Sequence, residues 1–245
     1  MAISSNLEFD AQNKVSKNNS CGLCSLNKIC FTGHVSDEIS PEIEDIIVRH
    51  QLKCKNDNWF DIGDKASSII AVRSGSVKTY QLNEDGNEQV CDFHLPGELI
   101  GLDSISTGTH MSYVSNLEDS SICEIPLKGL QELSKKDTTL VWELARLMSQ
   151  HLESKQRHIN LLSKRNAEER IVAFLCDLSD RLTKRGLSGS QIRLNMSRSD
   201  IAHYLGLTLE TISRVFSRLA KEGLILVKGK EVVLLEISSL KDKLV

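Results

Sequence analysis

Seven positions between 141 and 162 constrain this 245-residue chain most. Val141, Ala145, Met148, Leu152, Lys155, Ile159 and Leu162 follow a 4-3-4-3-4-3 spacing, which is the a/d seam of a coiled coil. The period predicts one helix from 137 to 165. At 1.5 Å per residue it is about 40 Å long, more than one small domain covers. A helix packed along its own domain competes, but the stripe is narrow and is flanked by His151, Glu153, Ser154 and Arg157. A second copy of the chain is therefore the expected partner, giving a homodimer. Lys155 stands inside the seam. Two such ammonium groups facing each other repel and keep the dimer weak, unless the side chains snorkel to water.

The chain on either side of this helix has two different patterns. Residues 52–127 hold short apolar or alternating runs, "SIIAVRSG", "SVKTYQL", "EQVCDFHL" and "SSICEIPL", separated by turn signals such as "EDGN" and "LPGE". Many short strands with regular turns predict an antiparallel roll or sandwich. Before it, "SDEISPEIEDIIVRHQ" reads as a short helix with Ser40 as cap and Pro41 in first position. Residues 1–20 are polar and aperiodic, the pattern of a tail. No run is apolar enough to span a bilayer, and the start lacks a basic region followed by an apolar one, so the cytoplasm is the expected compartment.

After the long helix, "NAEERIVAFLCDLSDRLTKRG" is an amphipathic helix ending at Gly186. In "SRSDIAHYLGLTLETISRVFSRL", Ser197 to Asp200 is a capping pattern, Gly206 stops the helix and Thr208 caps the next one. Ala202, Gly206 and Ile212 fall at offsets 0, +4 and +10, the logic of a helix-turn-helix. Ile212, Phe216 and Leu219 form the inward stripe. Two strands around a Lys-Gly-Lys turn follow as a wing. Residues 163–230 carry 13 basic against 7 acidic side chains, while the whole chain has a net charge of −3. A basic module on an acidic body suits double-stranded DNA.

Glu210, Ser213, Arg214 and Ser217 share the outer face of the second helix, where base edges are read. Arg214 suits guanine O6 and N7, and Glu210 suits cytosine N4. Thr211, Arg218 and Lys228 are placed for phosphates. An ordinary i, i+4 surface ion pair between Glu210 and Arg214 is the plainer alternative.

The seven cysteines are an odd, clustered set: Cys21, Cys24 and Cys30 lie within ten residues, and Cys54, Cys91, Cys123 and Cys176 follow. In a reducing compartment this suggests metal ligation more than cross-links. Three thiolates leave an all-sulfur zinc site or a four-iron cluster one ligand short. Cys54, Cys91 and Cys176 read better as isolated thiols in or near strands and a helix face. Ser25 can donate a hydrogen bond to a sulfur.

The stretches "LLSKRNAEER", "YLGLTLETISR", "FHLPGELIGLDSI", "VRSGSVKTY" and "SSICEIP", together with the N-terminal cysteines, resemble the CRP/FNR family of bacterial transcription regulators, and within it the oxygen-responsive FNR branch. The resemblance covers roughly residues 20–235. It implies an α+β chain organised as a flexible tail (1–20), an iron–sulfur segment with a jelly-roll β-roll sensory domain (21–136), a dimerisation helix (137–165) and a winged helix-turn-helix domain (166–245). It implies a homodimer reading a TTGAT-N4-ATCAA palindrome through Glu210, Ser213 and Arg214, with RNA polymerase touching the "LNEDGNEQ" loop. It also implies one oxygen-labile [4Fe-4S] cluster per subunit, with "CEIP" Cys123 as fourth ligand beside Cys21, Cys24 and Cys30. Zinc held by the same four cysteines, in a regulator sensing another signal, is the alternative. Cyclic-nucleotide sensors similar to CRP need a glutamate after the roll's glycine turn and a later arginine. Here Leu102 and Asp103 follow Gly101, and the later stretch is "HMSYV", so no cyclic nucleotide is expected. No dinucleotide loop or acid/base constellation points to an enzyme.

Overall fold

The computed structural model describes residues 20–164 and 166–244. The expected tail lies outside them apart from Ser20. Two single 3₁₀ turns, Cys21–Leu23 and Phe31–His34, precede helix α1 (Ser40–Ile46). Pro41 sits in the first turn as expected, but Ser40 is not the cap. Ile39 holds that position, without a side-chain cap bond. The amides of Ile39 and Ser40 both return to the Ser36 carbonyl (3.2 and 3.1 Å), so the chain begins to wind before the proline.

Eight short strands make the roll: β1 (Val48–Arg49), β2 (Asn58–Phe60), β3 (Ser68–Ser74), β4 (Val77–Leu82), β5 (Glu88–His94), β6 (Leu99–Ile100), β7 (Tyr113–Asn116) and β8 (Ser121–Pro126). They form two antiparallel sheets, ordered β1-β8-β3-β6 and β2-β7-β4-β5. Helix α2 (Ser104–Thr107) lies between β6 and β7. The run "SIIAV" is buried throughout because β3 is covered on both faces. Ile70 and Val72 enter the core between the sheets with Trp59, Val77 and Ile122. Ile69 and Ala71 point the other way, into a second core with Phe31, Ile43, Ile125 and Leu140. The cysteine segment and α1 therefore rest on the outer face of the first sheet.

Helix α3 (Leu127–Lys136) follows β8 and packs on α1 at Gly129. A Cβ there would meet Ile46 Cδ1 at 2.8 Å. Helix α4 spans Thr139–Lys164. Asp137 joins its start to the N-terminal segment: Oδ1 accepts from the Thr139 amide (2.8 Å), and Oδ2 accepts from the Ser36 hydroxyl (2.7 Å). No helix among the described residues is long and apolar enough to cross a membrane.

The C-terminal unit holds α5 (Ala167–Lys184), β9 (Gln191–Arg193), α6 (Arg198–Leu205), α7 (Leu209–Lys221), β10 (Ile225–Lys228), β11 (Glu231–Leu234) and α8 (Ile237–Asp242). The wing has three strands rather than two, in the order β10-β11-β9. Strand β9 is three residues long with only Ile192 turned inward, too short to show an alternation. The unit is docked on the roll. Glu98 receives Arg181 Nη2 and Arg185 Nη2, both at 2.6 Å, and Lys78 Nζ meets Asp200 at 2.7 Å. Phe93 and Leu95 of the roll share one core with Phe174 and Leu175 of α5.

Beneath this contact His94 is buried, with Nε2 3.3 Å from the Thr79 hydroxyl. Burial pushes its pKa down to about 4, against the pull of Asp92 and Glu98. The unfolded chain binds that proton near pH 6.5, so this contribution is complete above 6.5 and is lost as pH falls toward 4. Urea midpoints between pH 7 and 4 should fall more steeply for the wild type than for His94→Gln. Parallel curves would count against a neutral buried imidazole.

Candidate functional site

Cys21, Cys24, Cys30 and Cys123 line one cavity of about 810 Å³ between the N-terminal segment and the first sheet. Ser20 opens the cysteine segment, its hydroxyl accepting from the Gly22 amide (3.2 Å). The Cys24 amide then returns to the Cys21 carbonyl (3.1 Å), and the Cys30 amide to the Leu26 carbonyl (2.8 Å). Gly33 closes the loop against Asn27, whose carbonyl oxygen would stand 1.7 Å from any Cβ there. Phe31, 1% exposed, anchors the segment in the core. Cys123 comes from the opposite wall, on β8, paired with Arg49 on one side and Ala71 on the other.

Cys21 is buried and the other three are half-buried. Burial pushes the Cys123 thiol up to about 12, with Cys30 and Cys21 adding to the rise and Arg49 and Arg73 opposing it. Cys30 is raised chiefly by burial as well. A metal entering here must displace protons. Among the described residues no three His, Cys, Asp or Glu side chains are gathered closely enough to hold a single ion. The four cysteines face the cavity from two walls, the N-terminal segment and β8. Arg49 Nη2 donates to Cys21 Sγ (3.2 Å) and Thr32 bonds the Cys30 thiol through its amide and its hydroxyl, whereas the sequence pointed to Ser25. Cys54 is exposed, Cys91 lies in β5 and Cys176 is buried on α5.

Helix α4 presents an apolar strip to solvent. Val141, Met148, Leu152 and Ile159 are 49, 44, 59 and 63% exposed, and Ala145 is exposed among them. Trp142, 77% exposed, extends the strip and was not in the heptad reading. Lys155 leaves it: its ammonium bonds Asp92 Oδ2 (2.8 Å) and the Cys91 carbonyl (3.1 Å) of its own roll. Leu162 also turns inward, toward Gly206. The cause is helical drift. A helix of 3.6 residues per turn rotates by about 20° per heptad against a 3.5-residue repeat, so positions 155 and 162 swing from the open face to the chain's own body. Gln156, next to Lys155, is exposed. The expected Lys155 repulsion is thereby replaced by an intrachain ion pair.

The recognition element matches its local signals. Ser197 and Asp200 form a reciprocal capping box, Gly206 adopts φ +61°, and the Thr208 hydroxyl accepts from the Thr211 amide (3.2 Å). Ala202 and Ile212 are buried where α6 and α7 touch, and Ile212, Phe216 and Leu219 are 0, 4 and 0% exposed. Glu210, Ser213, Arg214 and Ser217 are exposed together. Arg214 Nη2 bonds the Thr211 hydroxyl (3.2 Å). Glu210 is held below the usual carboxylate range by its own amide and the Thr208 hydroxyl, with Arg214 a lesser influence. The Ser213 hydroxyl donates to the Leu209 carbonyl (3.0 Å), and Arg218 pairs with Glu168 of α5. Lys228 is exposed on the wing.

Residues 53–137 match the cyclic nucleotide-binding domain, and residues 169–243 the Crp-like helix-turn-helix domain. The fumarate nitrate reduction regulatory protein of Klebsiella oxytoca is 43% identical over 214 residues, 87% of this chain and 86% of that protein. The chain belongs to the CRP/FNR family of transcription regulators, close to the FNR proteins. The fumarate and nitrate reduction regulatory protein of Escherichia coli (strain K12) is 42% identical over the same shares. FixK2 from Bradyrhizobium japonicum superposes with a TM-score of 0.74 at 29% identity, over 80% of this chain and 96% of that one. Members of the family are DNA-binding regulators without catalytic activity, and their fold is consistent with a DNA-binding homodimer.

A charge on the open strip of α4 tests the dimer. Ile159→Glu leaves the monomer core untouched, yet sets two carboxylates against each other across a paired helix. Removing an ion from water costs several kcal/mol, so sedimentation should show dimerisation weakened by about 100-fold or more. A variant that pairs like the wild type would place the interface elsewhere.

Proposed function

We propose that this regulator is oxygen-responsive: it binds a TTGAT-N4-ATCAA palindrome as a homodimer with one [4Fe-4S] cluster per subunit, and it releases DNA when oxygen destroys that cluster. The observation that carries the reading is the convergence of Cys21, Cys24, Cys30 and Cys123 on one large cavity. Four thiols are a donor set for either zinc or a cluster. A tetrahedral zinc site with bonds of about 2.3 Å draws its sulfurs to about 3.8 Å from one another, whereas a cluster keeps its four ligands apart at its corners. The four cysteines line a cavity of about 810 Å³, room enough for a cluster, which supports the second. When bound, the cluster supplies an oxygen-labile link between the N-terminal segment and β8.

The chain's own residues carry that link onward. Phe31 packs in the same core as Leu140 at the start of α4, and Ser36 bonds the Asp137 that caps it. Tying Cys123 to the segment steadies the first turns of the helix whose outer strip would pair with a second copy. Pairing sets two α7 helices about one turn of DNA apart, which suits a palindrome. Glu210, Ser213 and Arg214 read bases; Thr211, Ser217, Arg218 and Lys228 lie beside them. Arg218 must exchange Glu168 for a phosphate to contribute.

The hairpin between β4 and β5 is built around Asn83, whose Oδ1 accepts from the Asn87 amide (2.8 Å). Its exposed tip is the proposed contact for RNA polymerase. The residues after the roll's glycine turn, Leu102 and Asp103 beside Gly101, supply no glutamate for a cyclic phosphate, so the proposed regulator binds no cyclic nucleotide. The cytoplasm is the proposed compartment.

Anaerobic purification tests the reading. The expected protein is brown, carries four iron and four sulfide per subunit by the proposed stoichiometry (roughly one cluster), and shifts palindromic DNA until air bleaches it. Colourless, zinc-loaded protein that binds DNA equally in air would overturn it.

A further inference from the structure

We propose that Arg49 tunes the sulfur centre: its guanidinium donates a charged hydrogen bond to the Cys21 sulfur and raises the reduction potential of a cluster held by the four cysteines. The inference rests on the cluster reading above. Strand β1 is only two residues long, yet its pairing sets Arg49 directly opposite Cys123. Opposed residues of an antiparallel pair project from the same face, and both line the cavity. The side chain of Arg49 then reaches across to Cys21, with Nη2 3.2 Å from Sγ. One residue thus engages both ends of the ligand set, by register at Cys123 and by hydrogen bond at Cys21.

Arg49 is held in place from α1. Its Nη2 also lies 3.2 Å from Glu44 Oε1, and Glu44 Oε2 accepts from the Ser20 hydroxyl at 3.1 Å. The arginine side chain is 11% exposed, so water screens its charge weakly. Arg73 lines the same cavity from β3 and adds a second cation. Hydrogen bonds to the sulfurs, net charge and solvent exposure set the potential of such a centre. A fixed cation on a ligand sulfur favours the form that carries one more electron. The carboxylate of Glu44 on the same guanidinium works the other way.

The two residues therefore have opposite signs, which separates tuning from structural damage. The full chain is reconstituted anaerobically, iron and sulfide are counted, and the midpoint potential is titrated with redox mediators. Arg49→Gln should shift the one-electron equilibrium about tenfold toward the oxidised form, a fall of about 59 mV. Glu44→Gln should raise the potential, and Arg49→Lys should lie between wild type and Arg49→Gln. Should Arg49→Gln fail to fold, the signs of Arg49→Lys and Glu44→Gln still decide. Unchanged potentials, or Arg49 and Glu44 variants moving the same way, overturn the proposal while leaving the cluster reading intact. Wild-type protein without iron overturns both.

Discussion

Arg214→Ala should weaken binding to the palindrome by roughly 30-fold to 10⁴-fold, because a lost bidentate contact to guanine costs about 1–3 kcal/mol and the dimer makes it twice. The side chain is exposed on α7 and bonds the Thr211 hydroxyl, so the fold should not notice its removal. Anaerobic gel shifts on the palindrome and on variants with the guanine replaced separate reading from mere attraction. Arg214→Ala should bind wild-type and replaced sites alike. Lys228→Ala, on the wing, should instead weaken all sequences evenly and flatten the salt dependence. If Arg214→Ala keeps full preference for guanine, another residue reads that base.

Cys123→Ser should abolish the proposed cluster while leaving the roll folded. Cys123 is half-buried on β8, and serine is close to it in size, so the sheet pairing with Arg49 and Ala71 survives. The N-terminal segment then loses its tie to the sheet. Iron content should drop to background, and specific DNA affinity should fall by roughly 10³-fold under anaerobic conditions, the lower end of what specific contacts add over non-specific binding. Cys54→Ser and Cys176→Ala serve as controls and should keep iron. Full iron in Cys123→Ser would move the fourth ligand to another residue.

The parts of this protein that were legible without a fold are those governed by near neighbours. The capping box at Ser197, the Thr208 cap, the stop at Gly206 and the stripe of Ile212, Phe216 and Leu219 all depend on residues within a few positions. Their geometry follows from backbone hydrogen bonding and the helical period. The four long strands showed through for the same reason. Strands β1, β6 and β9 did not, since two or three residues carry no measurable alternation. Arg49 was missed with β1, and Ser40 was misplaced as a cap because Ser36 starts the turn sooner.

The proposed metal ligands divide along the same line. Cys21, Cys24 and Cys30 announced themselves by spacing. Cys123, some ninety residues away, entered only through the family's "CEIP" pattern, and its approach to the others depends on the register of β8 against β1 and β3. Lys155 shows the reverse case, in which a correct local period gave a wrong neighbour. A heptad describes which residues align along a helix, not how far the line has rotated when it meets Asp92.

Sequence alone thus determined the longer helices and strands, the helix-turn-helix and its proposed reading face, and three of the proposed ligands, because each is settled by bonds and periods within a turn or two. Only the tertiary structure decided that Cys123 and Arg49 face Cys21, that Lys155 serves the roll, and that Glu98 holds Arg181 and Arg185. Those contacts join residues from about thirty to a hundred positions apart. They arise from sheet register and from the packing of apolar faces, which no short stretch of chain encodes by itself.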